Sequence, residues 1–429
     1  MNIRKNNINK RRRTIPYVIF FISYSMFVYV SQMFYKEPLF DASLYITSKI
    51  NRNEEVRSLI PLIAEIANYF GTFQFYGILI IFIYNSANIY KTFIFIISIF
   101  TSILFSAWLK IIYQEPLMYY SDNFDKYHEI NPLICDATWG NPSTSSTTTT
   151  CVYLALWKIV FDCSRLRFKN NTKIISLICL IIMIILINSC KFLAGLHSID
   201  QIIFGIQIGF QIFFFLFYVV KVDLNNGKDL SKLVTFKLIY YVLINIFLLS
   251  IVLLTFFFDY DIMKREIFEQ NINISKCGNL SPNVRFSRDA LLLSMIFFSN
   301  IGIFIGMKYE LKYVFNSNEF NWRQYNFNKE DSEEESLFSK LSISKDTQWN
   351  HTSCFFSILR LGAVFIFHTI ITLPMFIVSS DNNIVLVLLL KIIIPMTLSL
   401  FFMFSVEKVI LYKLSLTNDS IFSLLSDTL

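Results

Sequence analysis

No two of the seven cysteines stand in a CxxC pair, which argues against a structural zinc site. Cys135, Cys151, Cys163, Cys179, Cys190, Cys277 and Cys354 read instead as small apolar fillers in helices. Cys135 and Cys277 fall on one predicted side, so a bridge between those two stays open. Glycine is scarce, with 11 residues in 429, whereas Phe occurs 46 times. With 54% hydrophobic residues and a mean hydropathy of +0.51, this is not the composition of a soluble domain. Many separate apolar runs of roughly 20 residues indicate a polytopic helical membrane protein. The first 13 residues have no acid but carry Arg4, Lys5, Lys10, Arg11, Arg12 and Arg13. A membrane span follows at once, so this tail reads as a positive-inside anchor near anionic lipid and not as a nucleic-acid arm. No small-residue cleavage site follows the first span, so it is expected to be a retained anchor and not a signal peptide. No internal repeat is visible.

Hydropathy predicts about ten transmembrane helices, at roughly 15–34, 59–84, 92–113, 143–161, 174–196, 199–220, 233–258, 290–307, 355–378 and 383–405. The fourth is the least apolar because its first half is Ser and Thr. Those hydroxyls can bond to carbonyls one turn back, which lets a helix survive there. The fold expected is an all-α membrane bundle. Its parts are a basic cytosolic tail (1–14), a six-helix core (15–221), an additional helix pair (222–307), a polar cytosolic linker (308–354) and a C-terminal helix pair with its tail (355–429).

Charge sets the orientation. With the tail in the cytosol, the loop with Arg165, Arg167, Lys169 and Lys173 is cytosolic, and so is that with Lys221, Lys228 and Lys232. The opposite face receives 114–142, with Glu115, Asp122, Asp125, Glu129 and Asp136 against Lys126 alone. Loop 259–289 joins it there, with an N-glycosylation sequon at Asn273 and a second at Asn279 that Pro282 weakens. The linker run Lys329-Glu-Asp-Ser-Glu-Glu-Glu-Ser336 reads as a solvated charge run, with a phosphorylation-regulated tether as the sharper alternative.

Three segments then fall at helix ends on one outer face. They are Leu109-Lys-Ile-Ile-Tyr-Gln-Glu-Pro-Leu-Met-Tyr-Tyr120, Trp139-Gly-Asn-Pro-Ser-Thr-Ser-Ser-Thr-Thr-Thr-Thr-Cys151 and Cys190-Lys-Phe-Leu-Ala-Gly-Leu-His-Ser-Ile-Asp-Gln201. Together they offer the ammonium groups of Lys110 and Lys191, the hydroxyl of Ser143 at a helix N-terminus, and the imidazole of His197. Cations, outward N–H groups and a His suit an oxyanion such as phosphate. Each part also has a plain reading: Lys110 and Lys191 as interfacial anchors, His197 as a hydrogen-bonded structural residue, Asn141 and Ser143 as helix caps beside Pro142. The functional reading rests on all three segments sharing a side.

The order and spacing of these residues resemble the type 2 phosphatidic acid phosphatase superfamily, which includes lipid phosphate phosphatases, glucose-6-phosphatase and the vanadium haloperoxidases. Its pattern is Lys-x6-Arg-Pro, then Pro-Ser-Gly-His, then Ser-Arg-x5-His-x3-Asp. The Gly-Asn-Pro-Ser run and Gly195-Leu-His-Ser-Ile-Asp-Gln-Ile-Ile-Phe-Gly205 are the most specific pieces, and spans one to six match the six-helix core over about half the chain. The resemblance implies hydrolysis of lipid or sugar phosphomonoesters on the extracytoplasmic face. His197 would attack phosphorus, and Lys110, Ser143 and Lys191 would bind the phosphoryl oxygens. Gln201, or the adjacent Asp200, would orient the imidazole. No metal and no cofactor is expected for this chain.

The pattern is also degenerate. Leu117 stands where Arg is expected and Met118 where Pro is. Thr144 replaces the Gly and Ser145 the acid His, while Cys190-Lys191 replaces Ser-Arg. Losing a general acid costs about 10²–10⁴ in rate. Losing a phosphoryl-clamping Arg costs a further roughly 10²–10³ by analogy with other preorganised donors. Lys191 keeps the charge of the missing Arg without its bidentate fork. Binding is less damaged than turnover. The expectation is a catalytically impaired, weak or inactive phosphatase-like membrane protein whose partners are membrane lipids, including phosphorylated ones, and not nucleic acid. It would sit in the endoplasmic reticulum, another endomembrane or the plasma membrane, with the site facing lumen or exterior. The alternatives are an active phosphatase with a rearranged site, in which His128 supplies a proton, and an unrelated transporter or scaffold. For a transporter, the intramembrane Arg360, His368 and Lys391 are the residues of interest.

Overall fold

The computed structural model describes residues 2–51, 69–86, 89–118, 138–162, 169–220, 238–258, 286–306, 354–373 and 387–405. Glu65, the acidic loop with His128, the Cys135–Cys277 pairing, Arg165, Arg167, Lys221, Asn273 and the 308–353 linker lie outside them. For Arg360 and Lys391 the backbone alone is described.

Among the described residues there is no strand, and ten α-helices follow one another. They are α1 (Asn2–Asn51), α2 (Phe73–Ser86), α3 (Ile89–Tyr113), α4 (Thr144–Trp157), α5 (Asn170–Leu193), α6 (Ile199–Phe214), α7 (Leu238–Phe258), α8 (Phe286–Met295), α9 (Cys354–Thr372) and α10 (Ile394–Ser405). Short π turns continue α4 over Lys158–Asp162 and α6 over Phe215–Val219, and another leads into α10 over Val387–Ile393. Five helical stretches are long and apolar enough to cross a bilayer: Ile15–Ile50, Lys91–Tyr113, Asn170–Leu193, Ile199–Val219 and Leu238–Phe257. The fold is a helical bundle of membrane character. Its outward faces are correspondingly apolar: Ile174, Ile178, Ile181 and Ile185 on α5 and Leu243, Phe247 and Leu254 on α7 are all exposed.

The chain forms two compact units. The first comprises Met1–Tyr76, Ser98–Val222 and Ser250–Ser294, and it holds all three chemistry-bearing segments. Here α4 is central, with α5 and α6 packed on it, and α1 packs on α6. The hydroxyl run explains how the helices come so close. Ser146, Thr147, Thr148, Thr149 and Thr150 are all buried. A Cβ added to Gly205 of α6 would lie 2.8 Å from the Ser143 carbonyl and 2.9 Å from Ser146 Cβ. One added to Gly209 would overlap the Thr147 carbonyl. Two glycines four apart therefore seat α6 against a Ser/Thr face, the small-residue packing that substitutes for hydrophobic drive within lipid. On the α3 side, Ser106 donates to Thr144 Oγ1 (2.7 Å) and Cys151 Sγ donates to the Ser98 carbonyl (3.6 Å). Thr149 and the Tyr76 hydroxyl are 2.9 Å apart. Thr147 Oγ1 donates back to the Ser143 carbonyl (3.0 Å), which is how a helix tolerates this composition.

The first helix runs further than hydropathy indicates. The first span is expected to end near residue 34, yet α1 continues through Pro38 to Asn51. Tertiary contacts hold that continuation. Ser43, Leu44, Thr47 and Ser48 are buried, and Ser43 Oγ accepts from the Ile199 N–H at the start of α6 (2.9 Å). Thr47 Oγ1 lies 3.9 Å from Met118 Sδ.

The second unit comprises Gly77–Ile97, Asp223–Leu249 and Met295–Leu429. Tyr241 stacks on Phe304 at 4.2 Å and donates to Asn300 Oδ1 (2.9 Å). Gly302 lets the backbone of Thr397 approach closely, and Gly306 does the same for Phe401 and Phe404. His368 Nδ1 lies 2.7 Å from Ser399 Oγ, joining α9 to α10.

Candidate phosphoryl site

The first wall of the site is the end of α3. Lys110 is buried in its last turn, and its ammonium donates to Thr138 Oγ1 (3.2 Å). Gln114 ends the helix in a left-handed conformation (φ 46°) and its N–H still reaches the Lys110 carbonyl (3.0 Å). The chain then presents Glu115 and Pro116 to the second wall, the turn ahead of α4. Gly140 N–H donates to the Glu115 carbonyl (2.6 Å), and Asn141 Nδ2 donates to Glu115 Oε2 (2.7 Å). The peptide bond between Asn141 and Pro142 is cis.

The third wall joins α5 to α6. Gly195 adopts φ 72°, and the Leu196 N–H returns to the Lys191 carbonyl (3.2 Å), a glycine C-cap that stops α5 just after Lys191. Two residues later the chain places His197, and α6 begins. Gln201, in the first turn of α6, reaches back with Oε1 to the Ser198 N–H (3.4 Å), as an N3 Gln does in a capping box. Its Nε2 donates to the Pro116 carbonyl (2.8 Å), and its own carbonyl accepts from Ser143 N–H (3.2 Å). One residue of α6 thus holds both other walls.

These bonds fix the state of His197. Because Gln201 Nε2 is committed to a carbonyl, the amide orientation is set, and Oε1 faces His197 Nδ1 at 3.3 Å. An amide oxygen only accepts, so the contact with Gln201 favours the tautomer with its hydrogen on Nδ1. The ring is neutral. Burial pushes its pKa down to about 3, and the charges of Lys110 and Lys191 act in the same direction, outweighing the hydrogen bonds to Gln201 and the Gly140 backbone. A buried neutral imidazole with two ammonium groups acting on it is a positive, nucleophile-bearing environment.

The remaining positions divide. Lys110, Lys191, His197 and Gln201 come together, all buried. Ser143 lies beside them but caps α4. Its Oγ accepts from the Ser146 hydroxyl (2.9 Å) and the Ser146 N–H (3.4 Å) and lies 3.2 Å from Ser145 Oγ. This is the capping role that its sequence neighbourhood allowed, and it leaves the hydroxyl engaged inside the helix start. Thr144 and Ser145 are half-buried at the first turn, and their N–H groups precede the first intrahelical hydrogen bond. Leu117 and Met118 are fully buried apolar side chains and bring no cation to the pocket. Asp200 does not contact the imidazole. Its charge acts on Tyr35 of α1, and it occupies the first turn of α6, where a carboxylate complements the helix dipole. Orientation of the ring therefore falls to Gln201.

Sequence reasoning missed Glu115, Gly140 and Asn141 as parts of the site, together with Lys36, which pairs with Glu115 Oε1 at 2.6 Å. Glu115-Pro116 lies between the two motif positions and carries no motif residue. The one available signal was an acid immediately beside a proline at the exit of an apolar helix. Gly140 is required by contact: a Cβ there would overlap Gln201 Nε2 and lie 2.7 Å from the Pro116 carbonyl. Among the described residues no group of three His, Cys, Asp or Glu is placed to hold a metal ion.

Comparison with known proteins returns no match: no family model, no curated protein and no solved structure matches this chain.

Proposed function

We propose that the first unit is a phosphatidic acid phosphatase-like membrane core that binds phosphorylated lipid headgroups and is impaired in turning them over. The observation that carries this is the action of two buried ammonium groups, Lys110 and Lys191, on one neutral imidazole, His197. In that setting a phosphate monoester dianion supplies the counter-charge the pocket favours, and the first-turn N–H groups of α4 add donors. The site faces the lumen or the cell exterior in this reading, because the acidic loop beside it lies opposite the basic tail. Turnover is weak because Ser145 is far too weak an acid to protonate an alkoxide and because Leu117 cannot clamp a phosphoryl oxygen.

A second reading, a working phosphatase with a rearranged site, is favoured by one specific feature. Gln201 Oε1 faces His197 Nδ1 and so favours the tautomer that leaves the hydrogen off Nε2, the form a phosphorus nucleophile requires. One experiment separates the two. Protein purified in detergent is assayed for phosphate release from phosphatidate, sphingosine phosphate, polyprenyl diphosphate and glucose-6-phosphate, alongside His197→Ala, and for binding to vesicles containing phosphatidate. Binding without release above the mutant supports the impaired reading. Release that vanishes in His197→Ala supports the second. Neither binding nor release refutes both.

A further inference from the structure

We propose that Glu115 is a positioning residue of the pocket and that Lys36, on a helix outside it, sets the pocket's anion affinity by neutralising Glu115. This rests on the pocket being an anion site. Glu115 makes three separate connections. Its carbonyl accepts from Gly140 N–H (2.6 Å), its Oε2 accepts from Asn141 Nδ2 (2.7 Å), and its Oε1 pairs with Lys36 Nζ (2.6 Å). The side chain is 13% exposed, against 43% for Lys36. The next residue, Pro116, supplies the carbonyl that holds Gln201 Nε2. Gly140 and Gln201 are the two hydrogen-bond partners of the His197 ring. The main-chain carbonyls of Glu115 and Pro116 therefore hold Gly140 and Gln201, and the Glu115 side chain holds the adjoining Asn141.

The charge of Glu115 raises a problem that Lys36 solves. A mostly buried carboxylate bonded to the wall of a pocket built for an anion opposes the ligand through a low-dielectric medium. Moving the acid away would release the Asn141 side chain. A cation on its free oxygen keeps the position and cancels the field. Lys36 is half-exposed, so the pair adds little to stability. Its effect is on the potential felt by a ligand.

Positioning and charge are separable by substitution. Affinity for inorganic phosphate is measured by titration calorimetry on the full chain in detergent. In parallel, carbethoxylation of His197 is followed by mass spectrometry as a readout of ring placement that needs no ligand. Glu115→Gln keeps an acceptor for Asn141 and removes the charge. It should tighten phosphate binding by roughly 3- to 20-fold, the size of one unit charge acting across a partly buried site, and leave the His197 rate unchanged. Lys36→Met should weaken binding by a similar factor, again with an unchanged rate. Lys36→Met combined with Glu115→Gln should return affinity to near the starting value. Glu115→Ala frees Asn141 while the Gly140 bond to the main-chain carbonyl of residue 115 survives, and it should weaken binding while altering the His197 rate. Equal behaviour of Glu115→Gln and Glu115→Ala, or no effect of Lys36→Met on affinity, overturns the proposal. If the starting protein binds no phosphate, the anion-site reading fails, and the carbethoxylation arm decides the positioning claim alone: an unaltered rate in Glu115→Ala refutes it.

Discussion

Gly140→Ala is the smallest change that tests the whole geometry. The added methyl would fall on Gln201 Nε2, 2.8 Å from Gln201 Cδ and 2.7 Å from the Pro116 carbonyl. Pro116 is main chain and cannot yield alone, so Gln201 must leave. Its departure breaks the bond to Pro116 and the contact with His197 Nδ1, and it removes the Oε1 that accepts from Ser198 N–H. A lost helix cap costs about 0.5–2 kcal/mol, and a net buried hydrogen bond about 1 kcal/mol. The expected loss is therefore roughly 2–4 kcal/mol, since the three bonds share one side chain and their costs do not add fully. The assay is thermal unfolding of the detergent-purified protein, with phosphate affinity alongside, for Gly140→Ala, Gln201→Ala and the double variant. Truncating Gln201 removes the side-chain clash and leaves the 2.7 Å approach to the Pro116 carbonyl, so Gly140→Ala should cost less in the Gln201→Ala background than in the parent. Two independent, additive losses would refute the placement of Gln201 against Gly140. So would a Gly140→Ala protein indistinguishable from the parent.

Gly209→Val should destabilise more than a surface change does, by about 1–3 kcal/mol or more, because the obstacle is the Thr147 carbonyl of a packed helix; an unchanged unfolding midpoint would contradict the α4–α6 contact. For pH the sign is set by His197, whose folded pKa is pushed down to about 3 from 6.5. The unfolded chain takes a proton that the folded chain refuses, so this contribution is complete above about pH 6.5 and is lost as pH falls toward 3. Comparing the parent with His197→Gln between pH 7.5 and 4.5 should show the steeper loss of midpoint in the parent; parallel curves would mean that the ring is not held neutral. Residual hydrolysis, where present, should favour p-nitrophenyl phosphate over an alkyl phosphate by more than ordinary reactivity explains. A missing general acid costs about 10²–10⁴ for an alkoxide leaving group and little for one that departs unprotonated. An aryl-to-alkyl ratio no larger than ordinary reactivity explains would point to an acid elsewhere.

Much of the bundle was legible because lipid enforces long apolar helices, and a run such as the one in α5 has no other stable form. The end of α1 was not legible. Hydropathy ends the first span near residue 34, and only the burial of Ser43, Thr47 and Ser48 against other elements carries the helix past it. At the site, Lys110, Lys191, His197 and Gln201 were readable because their spacing fixes their places near helix ends. Ser143 was readable as a residue but ambiguous in role, and capping decided it. Lys36 was invisible, Asn141 was legible only as a helix cap, and Glu115 only as one acid of the outer face. Their contribution lies in bonds across 26 residues between Asn141 and Glu115 and across a different helix for Lys36, and no local period encodes such pairings.

The hydroxyl run 144–149 bears on how such a site changes. Taken as sequence alone, a Ser/Thr tract following a phosphate-like turn reads as drift in a loop released from catalysis. Its burial implies the opposite constraint. Thr147 and Ser146 face Gly205 and Gly209, Thr149 meets Tyr76, and Thr144 meets Ser106. These positions take small side chains whose hydroxyls find partners inside the bundle, Thr148 excepted, whose Oγ1 is buried without one. A larger acid such as histidine in place of half-buried Ser145 would have to fit beside the Ser143 hydroxyl, 3.2 Å away. The same packing that keeps Lys110, Lys191 and His197 in register thus restricts what the first turn of α4 accommodates.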